Sequence, residues 1–99
     1  MYDIQFTKRA EKDAILIERA GLKPKAIELI GIVKTDPFQN PPPYKTLKGD
    51  RKGAYSRRIN RHHRFLYGVL PNADNLKDGN GTLYDGVVKI IRMWTHYDE

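Results

Sequence analysis

Residues 53–69 read GAYSRRINRHHRFLYGV. This stretch decides the fold, because residues 53–59 and 63–69 both have the residue types of a β-strand and only residues 60–62 separate them. A connection this short joins two antiparallel strands in a hairpin. We therefore expect a sheet that contains this hairpin.

The strands of the hairpin should place their side chains on alternating faces. The second strand then carries His62, Arg64 and Leu66 on one face and His63, Phe65 and Tyr67 on the other. The second set is mostly apolar and should be buried, with His63 as a packed histidine rather than a catalyst. Arg64 falls on the open face, where Arg58 can stand near it across the hairpin. Two such guanidinium groups can clamp a phosphate, and the alternative is that both pair with acidic side chains of the helices.

Two helices are predicted on the amino-terminal side of the hairpin. Residues 2–6 alternate as a short strand, Thr7 can cap a helix that ends near Gly21, and Pro24 suits the first turn of a second helix that ends at Asp36. The apolar stripes of these helices should form the core, and the alternative is that they bind a partner. The predicted stripe residues are Ala10, Ala14 and Ile17 in the first helix and Ala26, Ile27, Leu29, Ile30 and Val33 in the second.

Further strands are predicted on both sides of the hairpin. A short strand surrounds residues 44–48, and residues 87–94 form the last strand after a long loop or ribbon tip at residues 71–86. This order of elements predicts an α+β fold, with one sheet and both helices on one of its faces. We expect a single domain over residues 1–99, because a chain of this length supports one modest core.

Positive charge is concentrated around the hairpin. Residues 45–64 contain eight basic residues and one acidic residue, which gives +7 when the whole chain carries +6. Such a patch neutralises phosphates and favours binding of nucleic acid, and the alternatives are a solubilising face or a seat for an acidic protein. The eight basic residues are Lys45, Lys48, Arg51, Lys52, Arg57, Arg58, Arg61 and Arg64.

Composition excludes several classes of protein. The chain has no cysteine, which rules out disulfides and thiolate zinc sites. Its three histidines have no carboxylate at ligand spacing, and no glycine-rich nucleotide loop stands between a strand and a helix, so we expect neither a metal ion nor a cofactor. No apolar run approaches the ~20 residues that span a bilayer, and the first residues lack a signal-peptide core. We expect a cytoplasmic protein that does not bind membranes.

The last predicted strand leads into Trp94-Thr95-His96-Tyr97. An imidazole can move protons near neutral pH, and an aromatic ring can stack on an unpaired base. If this strand lies beside the strands that carry the arginines, His96 and Tyr97 reach the rim of the same cleft. The alternative for His96 alone is an ordinary surface histidine.

Several segments together resemble the YoeB/Txe toxins of the RelE/ParE superfamily. The resemblance covers most of the chain from Lys34 onward, with the same order of elements before it. It implies a small antiparallel sheet with a mixed edge and two amino-terminal helices on one face, as in RelE/ParE-like and microbial RNase-like folds. The matching segments are KTDPF (residues 34–38), PYKTLKGD (43–50), KGAYSRRIN (52–60), HRFLY (63–67) and the closing HY (96–97).

The resemblance implies a ribosome-dependent mRNA endonuclease that works without a metal ion. In this family the 2′-hydroxyl of the RNA attacks the adjacent phosphate. The implied partners are the ribosome, mRNA and a cognate acidic antitoxin, with a homodimer as a further assembly. Carried over by position, Arg64 stabilises the transition state, His96 is the general acid, Tyr97 positions the RNA, and Lys48 and Arg58 contact phosphates. The resemblance and the charge pattern together predict six RNA-binding residues: Lys48, Arg51, Lys52, Arg57, Arg58 and Arg61.

The chain departs from the family pattern at Lys45. This lysine stands where the family has its general-base glutamate, and a protonated ammonium cannot accept a proton. His62 as a substitute base, a slow enzyme and a detoxified variant all remain open. Two further departures are a longer loop at residues 71–86 and the carboxylates of residues 98 and 99 near His96.

Two rival functions remain open. Lys45 favours a weakened or inactive toxin, which binds its antitoxin and helps to repress its own operon. A gyrase-directed relative is the other rival. The terminal His-Tyr pair and the Arg64 segment argue against it, because a gyrase binder needs no proton-transfer residues.

Overall fold

A computed structural model describes residues 1–49 and 53–94. In chain order, these residues form β1 (Tyr2–Phe6), α1 (Lys8–Arg19), α2 (Lys23–Thr35), β2 (Tyr44–Thr46), β3 (Ala54–Arg58), β4 (Arg64–Leu70) and β5 (Gly86–Arg92).

The strands form one five-stranded sheet in the order β1-β5-β4-β3-β2. The predicted hairpin is confirmed, with β3 antiparallel to β4 and Arg58 opposite Arg64. β2 and β5 extend the antiparallel part on either side, and β1 runs parallel to β5 at the far edge. The predicted α+β architecture with a mixed edge is therefore correct.

Thr7 links the first helix to the sheet. Its hydroxyl accepts a hydrogen bond from the Ala10 N–H at 3.0 Å, which caps α1, and donates to the Ile91 carbonyl at 2.9 Å. The Thr7 N–H also donates to the Ile90 carbonyl at 3.0 Å. The cap predicted from the sequence thus also fixes where α1 leaves the sheet. α1 stops before Gly21, which adopts a positive φ of 76° as a helix-ending glycine does.

The main core lies between the helices and one face of the sheet. Ala10 and Ile17 of α1 and Leu29 and Val33 of α2 are buried against the strands, as the sequence predicts. Ile27 is 57% exposed instead, because one residue beyond Ala26 a helix has already turned about 100° away from the buried stripe. The buried strand and loop residues of this core are Ile59, Phe65, Tyr67, Val88, Ile90 and Met93.

The opposite face of the sheet has no helix among the described residues. A small second cluster of Leu47, Ala54 and Leu66, with Ile91 packed against it, lies there. The alternation predicted for β4 is confirmed, since Leu66 belongs to this cluster and Phe65 and Tyr67 belong to the main core. We call this face the open face.

The connection between β4 and β5 is held together by a β-bridge and by hydrogen bonds of one asparagine side chain. Lys77 and Leu83 form an antiparallel bridge. The Asn72 side chain donates to the carbonyls of Leu76 and Tyr84 at 2.9 and 3.1 Å and accepts from the Leu76 N–H at 2.8 Å.

Neither α1 nor α2, nor any other helix in residues 1–49 and 53–94, is long and apolar enough to cross a membrane.

Candidate functional site

The open face brings Lys45, Arg58 and Arg64 together. Lys45 of β2 pairs with Ser56 of β3, and Arg58 pairs directly with Arg64 of β4. Residues that are directly opposite in a sheet share a face, so the three cations lie on the same side. They line a cleft of about 310 Å³ together with Pro43 and Tyr44. We call this space the cleft.

Arg64 is half-buried and its guanidinium is oriented by Ser56. Its Nε donates to the Ser56 hydroxyl at 2.5 Å, and Nη2 lies 3.4 Å from the Ser56 carbonyl oxygen. Ser56 is fully buried, so it gives Arg64 a fixed support. A charged donor held in this way is preorganised for an anion.

Arg58 is exposed and faces Arg64 across the hairpin. Two like charges directly opposite each other in a sheet repel. An anion between them would relieve that repulsion. Within residues 1–49 and 53–94, Arg58 forms no ion pair with an acidic side chain, so the alternative of pairing with a helix acid does not hold for this residue.

Of the other predicted surface cations, the described ones, Lys48 and Arg61, do not line the cleft. Lys48 is exposed just beyond β2, and Arg61 and His62 are exposed in the hairpin turn. That turn is held by the Asn60 side-chain oxygen, which accepts from the N–H groups of His62 and His63 at 2.9 and 2.8 Å. His62 therefore lies in the turn before β4 and outside the lining of the cleft.

The structure corrects the expectation that Arg57 binds RNA. Its side chain is completely buried. Alternation is the reason, because Arg58 occupies the open face and its neighbour must point to the helix side. The guanidinium donates to the Tyr67 hydroxyl at 3.1 Å and to the carbonyl oxygens of Pro37, Gln39 and Pro42 at 3.0, 2.8 and 2.5 Å.

Arg57 thereby fixes the segment that leads into the cleft wall. Its guanidinium carbon lies 5.0 Å from the centre of the Tyr44 ring and 5.9 Å from that of Tyr67. The Tyr67 hydroxyl donates in turn to the Pro37 carbonyl at 2.7 Å. Burial raises the pKa of Tyr67, and the nearby Arg57 charge opposes that shift, so the phenol stays a neutral donor.

The carboxyl end of β5 lies at the Arg64 end of β4, since Arg92 pairs with Leu66. Trp94, the last described residue, stacks on His63 with 3.9 Å between ring centres. His63 is thus a packed residue, as predicted. The predicted catalytic residues His96 and Tyr97, and the predicted RNA contacts Arg51 and Lys52, lie outside the described residues.

A buried ion pair anchors this end of β5 to α1. The Arg92 Nε donates to the Asp13 carboxylate at 2.8 Å, and the Met93 N–H donates to the same oxygen at 3.0 Å. Burial alone would raise the pKa of Asp13. Hydrogen bonds from Arg92 and from the backbone of Met93 and Trp94 outweigh burial and hold that pKa below its ordinary value. No local pattern predicts this contact, because its partners are 79 residues apart.

Within the described ranges, no three histidine, aspartate or glutamate side chains are grouped so that they could hold a metal ion. The side chains with polar groups that line the cleft are Tyr44, Lys45, Arg58 and Arg64.

A family model and several solved structures match most of this chain. A family model described as "YoeB-like toxin of bacterial type II toxin-antitoxin system" matches residues 6–97. A solved YoeB/ParE toxin from Agrobacterium tumefaciens is 29% identical, with a TM-score of 0.74 over 96% of this chain and 99% of that chain. A YoeB-YefM complex from Staphylococcus aureus contains a chain that is 25% identical, with a TM-score of 0.68 over 98% of this chain and 99% of that one.

Two other comparisons add less. YafQ from E. coli strain BL21(DE3) is 17% identical, with a TM-score of 0.67 over 96% of this chain and 93% of that one, which shows a common fold alone. No curated protein matches the chain.

Proposed function

Because the chain belongs to the family of YoeB-like toxins of bacterial type II toxin-antitoxin systems, we propose that it is a ribosome-dependent mRNA endonuclease of the cytoplasm. It cuts the message in the decoding site and so inhibits translation. The observation that carries this proposal is the cleft, where Arg58 and Arg64 face each other with Lys45 beside them. A phosphodiester is the natural ligand for such a set of donors.

The proposed reaction needs no metal ion or cofactor. The 2′-hydroxyl oxygen of the RNA forms a bond to the adjacent phosphorus, and the bond from phosphorus to the 5′-oxygen breaks. The products end in a 2′,3′-cyclic phosphate and a 5′-hydroxyl. Negative charge grows on the phosphoryl oxygens along the way. Arg64, oriented by Ser56, stabilises that charge, and fixed donors of this kind are usually the largest single contribution to catalysis.

Two proton transfers complete the proposed reaction. His96 is assigned as the acid that protonates the leaving 5′-oxygen, and Tyr97 is assigned to positioning the RNA. The course of β5 supports both assignments, since it carries the chain toward Arg64. The base takes the proton of the 2′-hydroxyl; Lys45 occupies the family's position for this base, and His62 is the alternative base. Phosphate contacts are assigned to Lys48, Arg51, Lys52, Arg58 and Arg61.

A second candidate function rests on Lys45. A lysine in the wall of the cleft supplies charge but no basic group while it is protonated. A toxin of this kind would cleave slowly or not at all, and its remaining role would be to bind the antitoxin and help to repress its own operon.

The proposed partners are the ribosome with its mRNA and a cognate acidic antitoxin, with a second copy of the chain as a further partner. Similar proteins from Staphylococcus aureus have been solved as a YoeB-YefM complex and as a YoeB dimer, which supports the antitoxin and the dimer.

Cleavage of a short message on programmed ribosomes tests the proposed function. We expect cuts that require the ribosome, and we expect Arg64→Gln to slow them about 100-fold or more, as loss of one transition-state donor does. Arg19→Gln is the matched control, because it removes the same charge from an exposed residue at the end of α1 that does not line the cleft. Absence of cleavage, with antitoxin binding intact, would favour the second candidate instead.

A further inference from the structure

A second cavity adjoins the cleft. It measures about 270 Å³ and is lined by Lys25, Pro42, Pro43, Arg57, Arg58 and Ile59. Pro43 and Arg58 also line the cleft, so the two spaces are neighbours with Arg58 between them. We call this space the second cavity.

The second cavity combines two surface cations with apolar walls. Lys25 reaches it from the first turn of α2, which contains no acidic residue. Arg58 reaches it from β3 and forms no ion pair within residues 1–49 and 53–94. The buried Arg57 guanidinium adds positive charge, although its hydrogen bonds go to backbone carbonyls and to Tyr67. None of the lining residues is acidic.

Lys25 has one partner that a ligand must displace. Its ammonium lies 3.1 Å from the Glu28 carboxylate, and the two side chains are 41% and 58% exposed. Such a solvent-exposed pair contributes little to stability. A phosphate can replace Glu28 as the partner of Lys25, because the loss of so weak a pair hardly opposes binding.

We propose that the second cavity binds the phosphate of the nucleotide next to the one in the cleft. This inference rests on the proposed function, since the cleft then holds the phosphate that is cut. Arg58 lies between the two phosphates, Lys25 contacts the outer one, and the rings of Pro42 and Pro43 contact the sugar. The site selects a strand with at least two phosphates over a ligand with one, and it makes α2 part of the RNA-binding surface.

Binding of short ligands to the antitoxin-free protein tests the proposal. The probe is a 2′-O-methylated dinucleotide, which cannot be cut, with one phosphodiester and either no further phosphate or an added phosphate at its 5′ or 3′ end. We expect one of the two added phosphates to raise affinity about tenfold. We expect Lys25→Gln to abolish that gain and to leave binding of the unmodified dinucleotide unchanged. The end at which the added phosphate raises affinity also shows in which direction the RNA strand runs from the cleft to the second cavity.

Lys23→Gln is the matched control. Lys23 lies in the same turn of α2, pairs with Glu18 at 3.2 Å and is 58% exposed, but it is not part of the cavity wall. The control should keep the full gain from the added phosphate. Equal behaviour of Lys25→Gln and Lys23→Gln, or no gain at either end, overturns the proposal.

Arg64→Gln separates this proposal from the proposed function. It should weaken binding of the unmodified dinucleotide, because that ligand occupies the cleft alone. If Arg64→Gln leaves that binding unchanged, the assignment of the cleft fails. If Arg64→Gln weakens binding as expected but Lys25→Gln does not abolish the gain from the added phosphate, the assignment of the cleft holds and the second cavity does not bind phosphate.

Discussion

Two consecutive arginines, Arg57 and Arg58, have opposite environments. Arg57 is buried and donates to three carbonyl oxygens and one phenol, whereas Arg58 is exposed between the cleft and the second cavity. The planar fork of an arginine can reach several acceptors at once, which a lysine cannot do. Arg57 thus acts on the cleft through the segment that it holds in place.

Replacing Arg57 should therefore cost stability. We expect Arg57→Met to lower the free energy of unfolding by at least about 3 kcal/mol, because it leaves three carbonyl groups without their donor. Arg58→Met, a matched change on the surface, should alter it by less than about 0.5 kcal/mol. Urea unfolding of both variants measures the difference. Similar losses in the two variants would contradict the structural role of Arg57.

Lys45 should limit the proposed catalysis. A positioned base contributes about 10²–10⁴-fold to such reactions, so Lys45→Glu should raise message cleavage on programmed ribosomes. Arg58 and Arg64 line the same cleft and should keep the new carboxylate ionised, which lowers its basicity and caps the gain. Lys48→Glu is the control for the change of charge and should produce no gain.

A role of His62 as the general base would contradict the assignment of the base position to Lys45. If His62 is the base, His62→Ala should abolish cleavage and Lys45→Glu should change it little. If the unmodified protein already cuts at full rate and neither substitution matters, both assignments of the base are wrong.

Sequence patterns could predict part of this site because the hairpin is local. The pairing of Arg58 with Arg64 follows from strand, turn and alternation within 17 consecutive residues. The same alternation excludes Arg57 from the open face. The carbonyl partners of Arg57 and the approach of Lys25 to Arg58 depend on tertiary packing, which no local pattern contains.

At the scale of elements, the least predictable contact is the parallel pair of β1 and β5. Tyr2 pairs with Gly86. A Cβ atom at Gly86 would lie 2.8 Å from the Leu70 carbonyl oxygen and 2.9 Å from the Tyr2 ring. Glycine is therefore required for this close approach of three strands. The sequence alone marked Gly86 only as the end of a loop.

The Asp13–Arg92 pair between α1 and β5 should make stability depend on pH. The folded pKa of Asp13 lies below its ordinary value, so the stabilisation is complete above the unfolded pKa and is lost as the pH falls through the folded pKa. Asp13→Asn should be less stable by about 2 kcal/mol at neutral pH, because Arg92 loses its charged partner. The two unfolding free energies should converge in acid.

Glu18→Gln is the control for this prediction. Glu18 pairs with Lys23 at 3.2 Å, but both side chains are more than half exposed. Such pairs contribute little, so the variant should unfold like the original protein at neutral pH. Parallel curves of unfolding free energy against pH for the original protein and Asp13→Asn would contradict the role of the buried pair.

At the scale of the whole molecule, apolar packing and charge are separated by the sheet. The helices cover one face and bury the main core there. The cleft cations lie on the other face, within a stretch that carries more positive charge than the entire chain. An exposed field of one sign attracts ligands of the opposite sign and speeds their association. Both proposed ligands of this face, RNA and an acidic antitoxin, would use that field.

The antitoxin should therefore compete with RNA for the open face. We expect Arg58→Gln with Arg64→Gln to slow association of the antitoxin and to reduce its dependence on salt, because charges in an interface act mainly on the association rate. Arg9→Gln with Arg19→Gln removes the same charge from α1 and should have a smaller effect. Stopped-flow association at several salt concentrations makes the comparison. If the α1 variant slows association equally, the antitoxin responds only to net charge, and its inhibition must come from a contact outside the cleft.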